Sequence, residues 1–451
     1  MLVDLLMDNL VLYVFLIFLV INVILMIPLL FWEKSNPRGT LLWIVVMLIL
    51  PPLGFLLYIF IGPTFYHPHK DFKAKAMGDE RVSSVYAENM AKVRVKKHDR
   101  EISEREARFI RTLGNLGVRS YSDNNEVGLF TDGKDKFRAL MADIESARES
   151  VHMEYYMVYD DRIGNKILDA LERKAEDGVE VKVLFDAFGF GRGLRKRIRG
   201  IRKRGIEIAF FHKMRALPFS PRKNNRNHRK LAVIDGEIAY VGGFNIGDDY
   251  LGEGDVGYWR DTAVRVAGDA VDWLQLRFLI DWRYATGDDL TGDAGYFDLD
   301  EGKGETGVQI VSGGPDVLRE NPIEMQYLLM FSKARETLYM HTPFLAPNGA
   351  ILSALKLAAA SGVDVRLIIP ERTTQPMTYW SNLYNANILM RAGVRVYFYK
   401  NGFVHSKAIV ADSYYCSVGS ANLDERSMRL NFETNAMIYS AGIGERLTEE
   451  F

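Results

Sequence analysis

Beyond about residue 135 the chain repeats itself, and a repeat on this scale fixes most of what it can fold into. Ser146-Ala147-Arg148-Glu149-Ser150-Val151 recurs as Lys333-Ala334-Arg335-Glu336-Thr337-Leu338, and each copy runs on into an apolar, strand-like stretch. A helical stretch follows, with Ile167, Ala170, Leu171 and Ala175 in one copy and Ile351, Leu355 and Ala358 in the other spaced to share one helix face. Gly178-Val179-Glu180-Val181-Lys182-Val183 then matches Gly362-Val363-Asp364-Val365-Arg366-Leu367, a glycine stop leading into a strand. A second helix and strand end at Ile208 and Val396. Strand, helix, strand, helix, strand in each copy predicts a duplicated α/β/α sandwich with a mixed, largely parallel sheet in each half. The halves are expected at 135–312 and 313–451, with the second closing early or differently: Ala441-Gly442 matches Ala267-Gly268, but the chain stops at Phe451, opposite Phe278.

At one point of each copy stands a histidine, a lysine two residues on and an aspartate five further: His228, Lys230 and Asp235; His405, Lys407 and Asp412. A glycine turn with an asparagine follows, Gly242-Gly243-Phe244-Asn245 and Gly419-Ser420-Ala421-Asn422. Each copy then reaches an acid, Asp261 in Trp259-Arg260-Asp261-Thr262 and Glu433 in Asn431-Phe432-Glu433-Thr434. Residues two apart on a strand face the same side, so each histidine projects with its lysine. The set suits phosphoryl chemistry. Lysines and asparagine amides can neutralise and orient nonbridging oxygens that gain charge on attack, without a metal. One imidazole can attack phosphorus while the other protonates the leaving alkoxide. Asp261 and Glu433 are expected to tune the rings by hydrogen bonding. His152, His341 and Cys416 read as core residues, and His67 and His69 as juxtamembrane rather than metal ligands.

The copies also differ. From Gly205 to His228 the first runs about twice as long as Gly393 to His405 in the second, and the surplus, with Lys213, Arg215, Leu217, Phe219, Arg222, Lys223 and Arg226, reads either as a solvated loop or as a lipid-facing entrance.

Ahead of the repeat, Leu10–Trp32 and Thr40–Ile61 carry no charge, and each reaches the ~20 residues a membrane helix needs. Asp4 and Asp8 at the start argue against a signal peptide. Residues 1–66 therefore read as a transmembrane hairpin with Trp32, Trp43, Tyr58 and Tyr66 as interfacial anchors, and 67–134 as a juxtamembrane linker and lead-in. Lys70, Lys73, Lys75 and Arg81 outweigh Lys34 and Arg38, which places the large C-terminal part in the cytoplasm of a multi-pass cell-membrane protein. The near-zero mean hydropathy of −0.08 averages these unlike parts. A net charge of −1 gives no global basic excess, so nucleic acid is not an expected partner. One cysteine excludes an intrachain disulfide and a thiolate metal cluster.

The paired HxKx4D motifs with their trailing asparagines resemble the phospholipase D superfamily. The two apolar runs, with Asn36-Pro37-Arg38-Gly39-Thr40 and Leu50-Pro51-Pro52-Leu53-Gly54-Phe55 around the second, make the chain similar to bacterial-type cardiolipin synthases. The resemblance implies a phosphohistidine mechanism that joins two phosphatidylglycerol molecules into cardiolipin and releases glycerol, with no cofactor or metal. It makes His228 the nucleophile and His405 the acid and later base; the residues themselves leave the order open. Lys230, Lys407, Asn245 and Asn422 would hold the phosphate, and Asp261 and Glu433 would orient the histidines. Asp235 and Asp412 complete the catalytic motifs, with a structural part in them. The alternatives are a lipid hydrolase of the same superfamily, a nuclease of the same fold, and a non-catalytic membrane scaffold.

Overall fold

The computed structural model describes residues 2–32, 37–50, 53–61, 78–88, 102–189, 192–211, 225–254, 256–297, 303–317 and 320–451. His67, His69 and most of the basic loop before His228 lie outside them. The chain divides into two compact units, residues 1–73 with 214–224, and 74–213 with 225–451.

In the first unit α1 spans Leu2–Trp32, α2 Pro37–Ile49 and α3 Leu53–Ile61. Within α1, side chains are described for residues 10, 12–14 and 16–27. Among the described residues no helix is long and apolar enough to cross a membrane. The expected pair of spans is thus not carried by the described helices. The second run in particular is divided, because proline lacks an N–H and disfavours helix in the residue before it, and Pro51 and Pro52 stand between α2 and α3. At 13 and 9 residues, neither piece alone covers the ~30 Å of a bilayer core. Asn22 donates to the Met47 carbonyl, and Met26, Met47 and Tyr58 form a small buried cluster.

The second unit opens with α4 (residues 78–88) and α5 (Glu104–Asn115), whose Ser103 cap accepts from Glu106 N. The first copy then supplies β1 (Tyr121–Phe130), α6 (Gly133–Ser146), β2 (Ser150–Tyr155), α7 (Arg162–Glu176), β3 (Glu180–Asp186), α8 (Arg192–Ile201), β4 (Glu207–Phe211), β5 (Arg226–Asn227), β6 (Lys230–Ile234), β7 (Ile238–Gly242), β8 (Trp259–Arg260), β9 (Ala263–Ala267) and α9 (Ala270–Thr286). The second supplies β10 (Thr306–Gly313), α10 (Pro322–Lys333), β11 (Thr337–His341), β12 (Leu345–Ala346), α11 (Gly349–Ala360), β13 (Asp364–Pro370), α12 (Pro376–Met390), β14 (Arg395–Tyr399), β15 (Phe403–Val404), β16 (Ala408–Ala411), β17 (Tyr415–Gly419), β18 (Leu423–Asp424), α13 (Glu425–Arg429), β19 (Asn431–Tyr439) and α14 (Ala441–Glu449).

The sheet order is β14-β13-β11-β16-β17-β19-β10-β1-β9-β7-β6-β2-β3-β4. Reading outward from the β10–β1 junction gives the same succession in both directions, so the sequence repeat becomes a pseudo-two-fold axis. β1 straddles the junction: Tyr121–Asn125 pairs with β10 and Glu126–Phe130 with β9, with the register shifting between Ser122 and Asn125. β1 falls among residues read as lead-in, and β10 at the end of those read as the first half. β2, β3 and β4 run parallel, as do β11, β13 and β14, and the nearly continuous burial of β2 and β3 matches strands covered on both faces. One apolar core lies in each half, one built around Val183, Leu171 and Phe137, the other around Leu367, Leu355 and Tyr327.

Candidate active site

Two very short strands bring the copies together. β5 lies parallel to the start of β19, Arg226 opposite Asn431 and Asn227 opposite Phe432, and His228 N donates to the Phe432 carbonyl at 2.9 Å. The next residue of β19 is Glu433, whose carboxylate faces His228 Nδ1 at 2.9 and 3.0 Å. The same device recurs in the other half. β15 lies parallel to β8, His405 N donates to the Arg260 carbonyl at 2.7 Å, and His405 Nδ1 meets Asp261 Oδ2 at 2.6 Å. Each histidine is therefore held by the acid of the opposite copy, and the two motifs form one site between the halves. With Nδ1 of each ring turned to a carboxylate, Nε2 is the nitrogen left for substrate.

The lysines point into the same place. Lys230 Nζ donates to the His228 carbonyl at 2.5 Å and lies 5.3 Å from the centre of the Tyr156 ring, which packs edge-on against His228. Lys407 Nζ donates to the His405 carbonyl, lies 2.8 Å from His405 Nδ1 and 3.9 Å from Asp261. Asn245 Nδ2 donates to Tyr250 OH, whose oxygen is 3.2 Å from His405 Nδ1. The Oδ1 atoms of Asn245 and Asn422 are buried without a hydrogen-bond partner, so each amide keeps an unused polar edge.

Burial sets the charges. It pushes His228 down to about 4, against the pull of Glu433, and His405 well below its ordinary range with the help of Lys407 and Lys230. It lowers Lys230 to about 7 and Lys407 to about 8. It raises Asp261 to about 7, although Lys407 and the Thr262 amide oppose it. Glu433 suffers the same desolvation, but His228, Lys230 and the Ser420 hydroxyl outweigh it and hold the carboxylate below the usual range.

Asp235 and Asp412 are turned away from this site. Asp235 accepts from the amides of Arg148, Glu149 and Ser150, each at 2.8 Å. Asp412 accepts from those of Arg335, Glu336 and Thr337 at 2.8–3.2 Å, and from the Arg105 side chain. Expected to complete the catalytic motifs with a structural part in them, they tie the β6 and β16 ends to the turns that open β2 and β11, which explains why the Ala-Arg-Glu turn and the aspartate recur together. Both adopt left-handed φ, 52° and 51°, where a short polar side chain that bonds nearby amides is tolerated.

A profile described as "Cardiolipin synthase, PLD-like domain" matches residues 140–256 and 327–451, and one described as "Phospholipase_D-nuclease N-terminal" matches residues 11–63. Cardiolipin synthase 2 of Staphylococcus epidermidis is 40% identical over 437 residues, 96% of this chain and 89% of that protein. The major cardiolipin synthase of Bacillus subtilis is 38% identical over 441 residues, 96% of this chain and 91% of its own length. The chain belongs to the bacterial cardiolipin synthases of the phospholipase D superfamily. Phosphatidylserine synthase from Haemophilus influenzae shares the fold, with a TM-score of 0.55 at 16% identity over 72% of this chain and 84% of that one.

Within this cardiolipin synthase family member, several site residues carry no sequence signal. Lys136 on α6 is buried, donates to Tyr155 OH at 3.2 Å, and is lowered to about 7 by burial, with Asp261 pulling the other way. Tyr250 closes the Asn245–His405 gap. Arg229, between His228 and Lys230, is buried against Asp281 at 2.5 Å and bonds Thr434 Oγ1 at 2.9 Å, while its counterpart Ser406 bonds Thr262 Oγ1 at 2.7 Å. His152 is a core residue between Gln275 and Glu180, His341 packs against Phe451 at a tilt with ring centroids 5.2 Å apart, and Cys416 is buried.

Proposed function

We propose that the protein is a membrane-associated phosphatidyltransferase that condenses two phosphatidylglycerol molecules to cardiolipin and glycerol through a histidine-bound phosphatidyl group. The observation that carries this reading is the crossed pairing of His228 with Glu433 and His405 with Asp261, which sets two differently charged imidazole–carboxylate pairs beside two lysines. His228, kept neutral by burial, attacks phosphorus through Nε2. The bond from phosphorus to the head-group glycerol oxygen breaks, and His405 gives that oxygen its Nε2 proton while Nδ1 takes one from the protonated Asp261 carboxyl 2.6 Å away. A glycerol hydroxyl of a second phosphatidylglycerol then passes its proton to His405 and attacks the phosphohistidine, and His228 leaves. Lys230, Lys407, Asn245 and Asn422 hold the phosphoryl oxygens throughout. One phosphodiester is exchanged for another, so no cofactor or energy source is required.

Purified protein given head-group-labelled phosphatidylglycerol should release labelled glycerol and form cardiolipin in equal amounts. Phosphatidic acid alone would make it a hydrolase in which water takes the second alcohol's place. Unchanged lipid composition in cells carrying His228→Ala would point to a scaffold.

Residues 1–66 are proposed to anchor the chain as a hairpin with the α/β part on the cytoplasmic side. The support is the length of the two uncharged runs and the basic residues after the second. Cysteine placed at Ser35 should react with an impermeant thiol reagent outside intact cells, and cysteine at Lys356 should not. Labelling of both from one side would refute the hairpin.

A further inference from the structure

α8 and α12 occupy equivalent places in the two halves, following β3 and β13, yet their compositions are opposed. α8 reads Arg-Gly-Leu-Arg-Lys-Arg-Ile-Arg-Gly-Ile, basic with no acid, and Arg202–Arg204 extends it. α12 has no charge in 15 residues and turns Met377, Trp380 and Tyr384 outward, 84%, 68% and 69% exposed, on one helical face. An outer helix face in water is ordinarily polar, so this one is built for another surrounding. On its inner face Asn382 bonds the Leu345 amide and the Pro343 carbonyl. Leu345 opens β12, which pairs with β18 immediately after Asn422. α12 is thus carried on the rim of the phosphate-holding residues. In the other half Phe188, 64% exposed, sits on the Arg226 guanidinium two residues before His228.

We infer that α12 is an interfacial helix whose Met377–Trp380–Tyr384 face seats in the surface of an anionic phospholipid bilayer, with the basic α8 sequence as its electrostatic counterpart. Trp and Tyr are the residues that settle at the boundary between head groups and chains. Arg372 and Arg391 flank the uncharged helix, where long basic side chains can reach phosphates, and the α8 sequence carries no acid, although Arg197 and, in its extension, Arg204 pair with Asp169, Glu172 and Glu176 of α7. The chemistry places this face where lipids must leave the bilayer plane for a buried site. The inference rests on the phospholipid substrate proposed above, and its direct test does not depend on activity.

Full-length Trp380→Cys protein, reconstituted in phosphatidylglycerol-containing vesicles, can be labelled there with a fluorophore, because Cys416 is buried. The label should be quenched by brominated lipid and shielded from iodide. Iodide quenching without bromolipid quenching overturns the inference. Met377→Glu/Trp380→Glu should lose about tenfold or more in activity on phosphatidylglycerol in vesicles, and stay within about twofold of the parent on short-chain phosphatidylglycerol dispersed as monomers. An equal loss on both substrates, or none on vesicles, overturns it. So does a change from dimer to monomer in detergent, which would make the face a contact with a second copy. A parent enzyme that forms no cardiolipin would refute the function while leaving the quenching result to stand.

Discussion

The His228 half and the His405 half present the same motif on equivalent strands, yet the carboxylates behind the two rings live in different surroundings. Glu433 accepts from Ser420 at 2.6 Å, Ser427 at 2.8 Å and Asn431 at 3.2 Å in addition to His228. Asp261 has the Thr262 amide at 2.7 Å, His405 and the Lys407 charge. The residues responsible are counterparts. Gly243 stands where the other half has Ser420, and an added Cβ there would come within 2.1 Å of Asp261 Oδ1. Tyr250 replaces Ser427 and bonds the ring instead of the acid; Trp259 replaces Asn431 and packs on His405 with centroids 5.4 Å apart. The duplicated site has therefore differentiated. A buried carboxylate served by three side-chain donors besides its ring stays ionised behind His228, while a buried carboxyl with fewer donors keeps its proton up to about pH 7 behind His405. Two groups whose environments push them apart are the usual sign of a nucleophile or base paired with an acid.

The largest effect that could break this comparison comes from the histidines. His228→Ala and His405→Ala should each lower cardiolipin formation by about 10⁴-fold or more. A phosphatidyl ester of nitrophenol, whose leaving group needs no proton, separates them. His405→Ala should release one nitrophenol per site in a burst and stop at the phosphohistidine, whereas His228→Ala should release none. A burst from His228→Ala instead would reverse the roles.

The serines behind Glu433 come next. Ser420→Ala/Ser427→Ala removes two donors from an ionised carboxylate, so its pKa rises and less of it is ionised at any acid pH. The acid limb of kcat/KM should move to higher pH, with about a tenfold loss near pH 6. The alkaline side should be unchanged, because it reflects proton loss from Asp261 and Lys230 at about 7 and Lys407 at about 8, and activity should fall from about pH 7 upward in parent and variant alike. A shift of the alkaline limb would show that the halves are not independently tuned.

The middle residue of the motif compares stability rather than rate. Arg229→Met takes from the buried Asp281 its Arg229 partner and should cost about 3–5 kcal/mol in urea unfolding. Ser406→Ala removes one hydroxyl pair with Thr262 and should cost about 1 kcal/mol. Equal costs would mean that Arg229 is not the polar link between β6, β19 and α9 that its bonds to Thr434 and Asp281 describe.

Much of this was legible in the sequence because it is local. The α/β order of each copy follows from helix and strand periodicity, and the histidine, lysine, asparagine and acid positions follow from repetition in register. Which acid serves which ring was not legible: the partners are 205 and 144 residues apart and meet only through β5–β19 and β15–β8, pairs two residues long. Lys136 was silent for another reason. Its counterpart in the repeat is Ile323, and a lysine in an amphipathic helix ordinarily reads as a solvated residue, whereas this one is buried under Phe137, Tyr155 and Phe244. The second apolar N-terminal run shows the reverse case, a strong compositional signal that the described structure divides between α2 and α3.

The aspartates of the motif give the smallest and most discriminating effect. Asp235 and Asp412 each gather three backbone amides from a turn of their own half, and neither approaches an imidazole. Asp235→Asn keeps one oxygen and a side chain that tolerates φ of 52°, so it should cost about 1 kcal/mol. Asp235→Gly keeps the backbone freedom but loses every acceptor, and Asp235→Ala adds left-handed strain of about 1–2 kcal/mol to that loss. The stability order parent, Asn, Gly, Ala should appear in thermal unfolding while kcat of the folded enzyme stays within about twofold. Asp412→Asn should cost more than Asp235→Asn, since only Asp412 also receives Arg105, and Arg105 would lose its ion-pair partner. If kcat instead collapsed in variants that still unfold cooperatively, the aspartates would have to act on the chemistry, and the separation between a motif's folding residues and its reacting residues would fail.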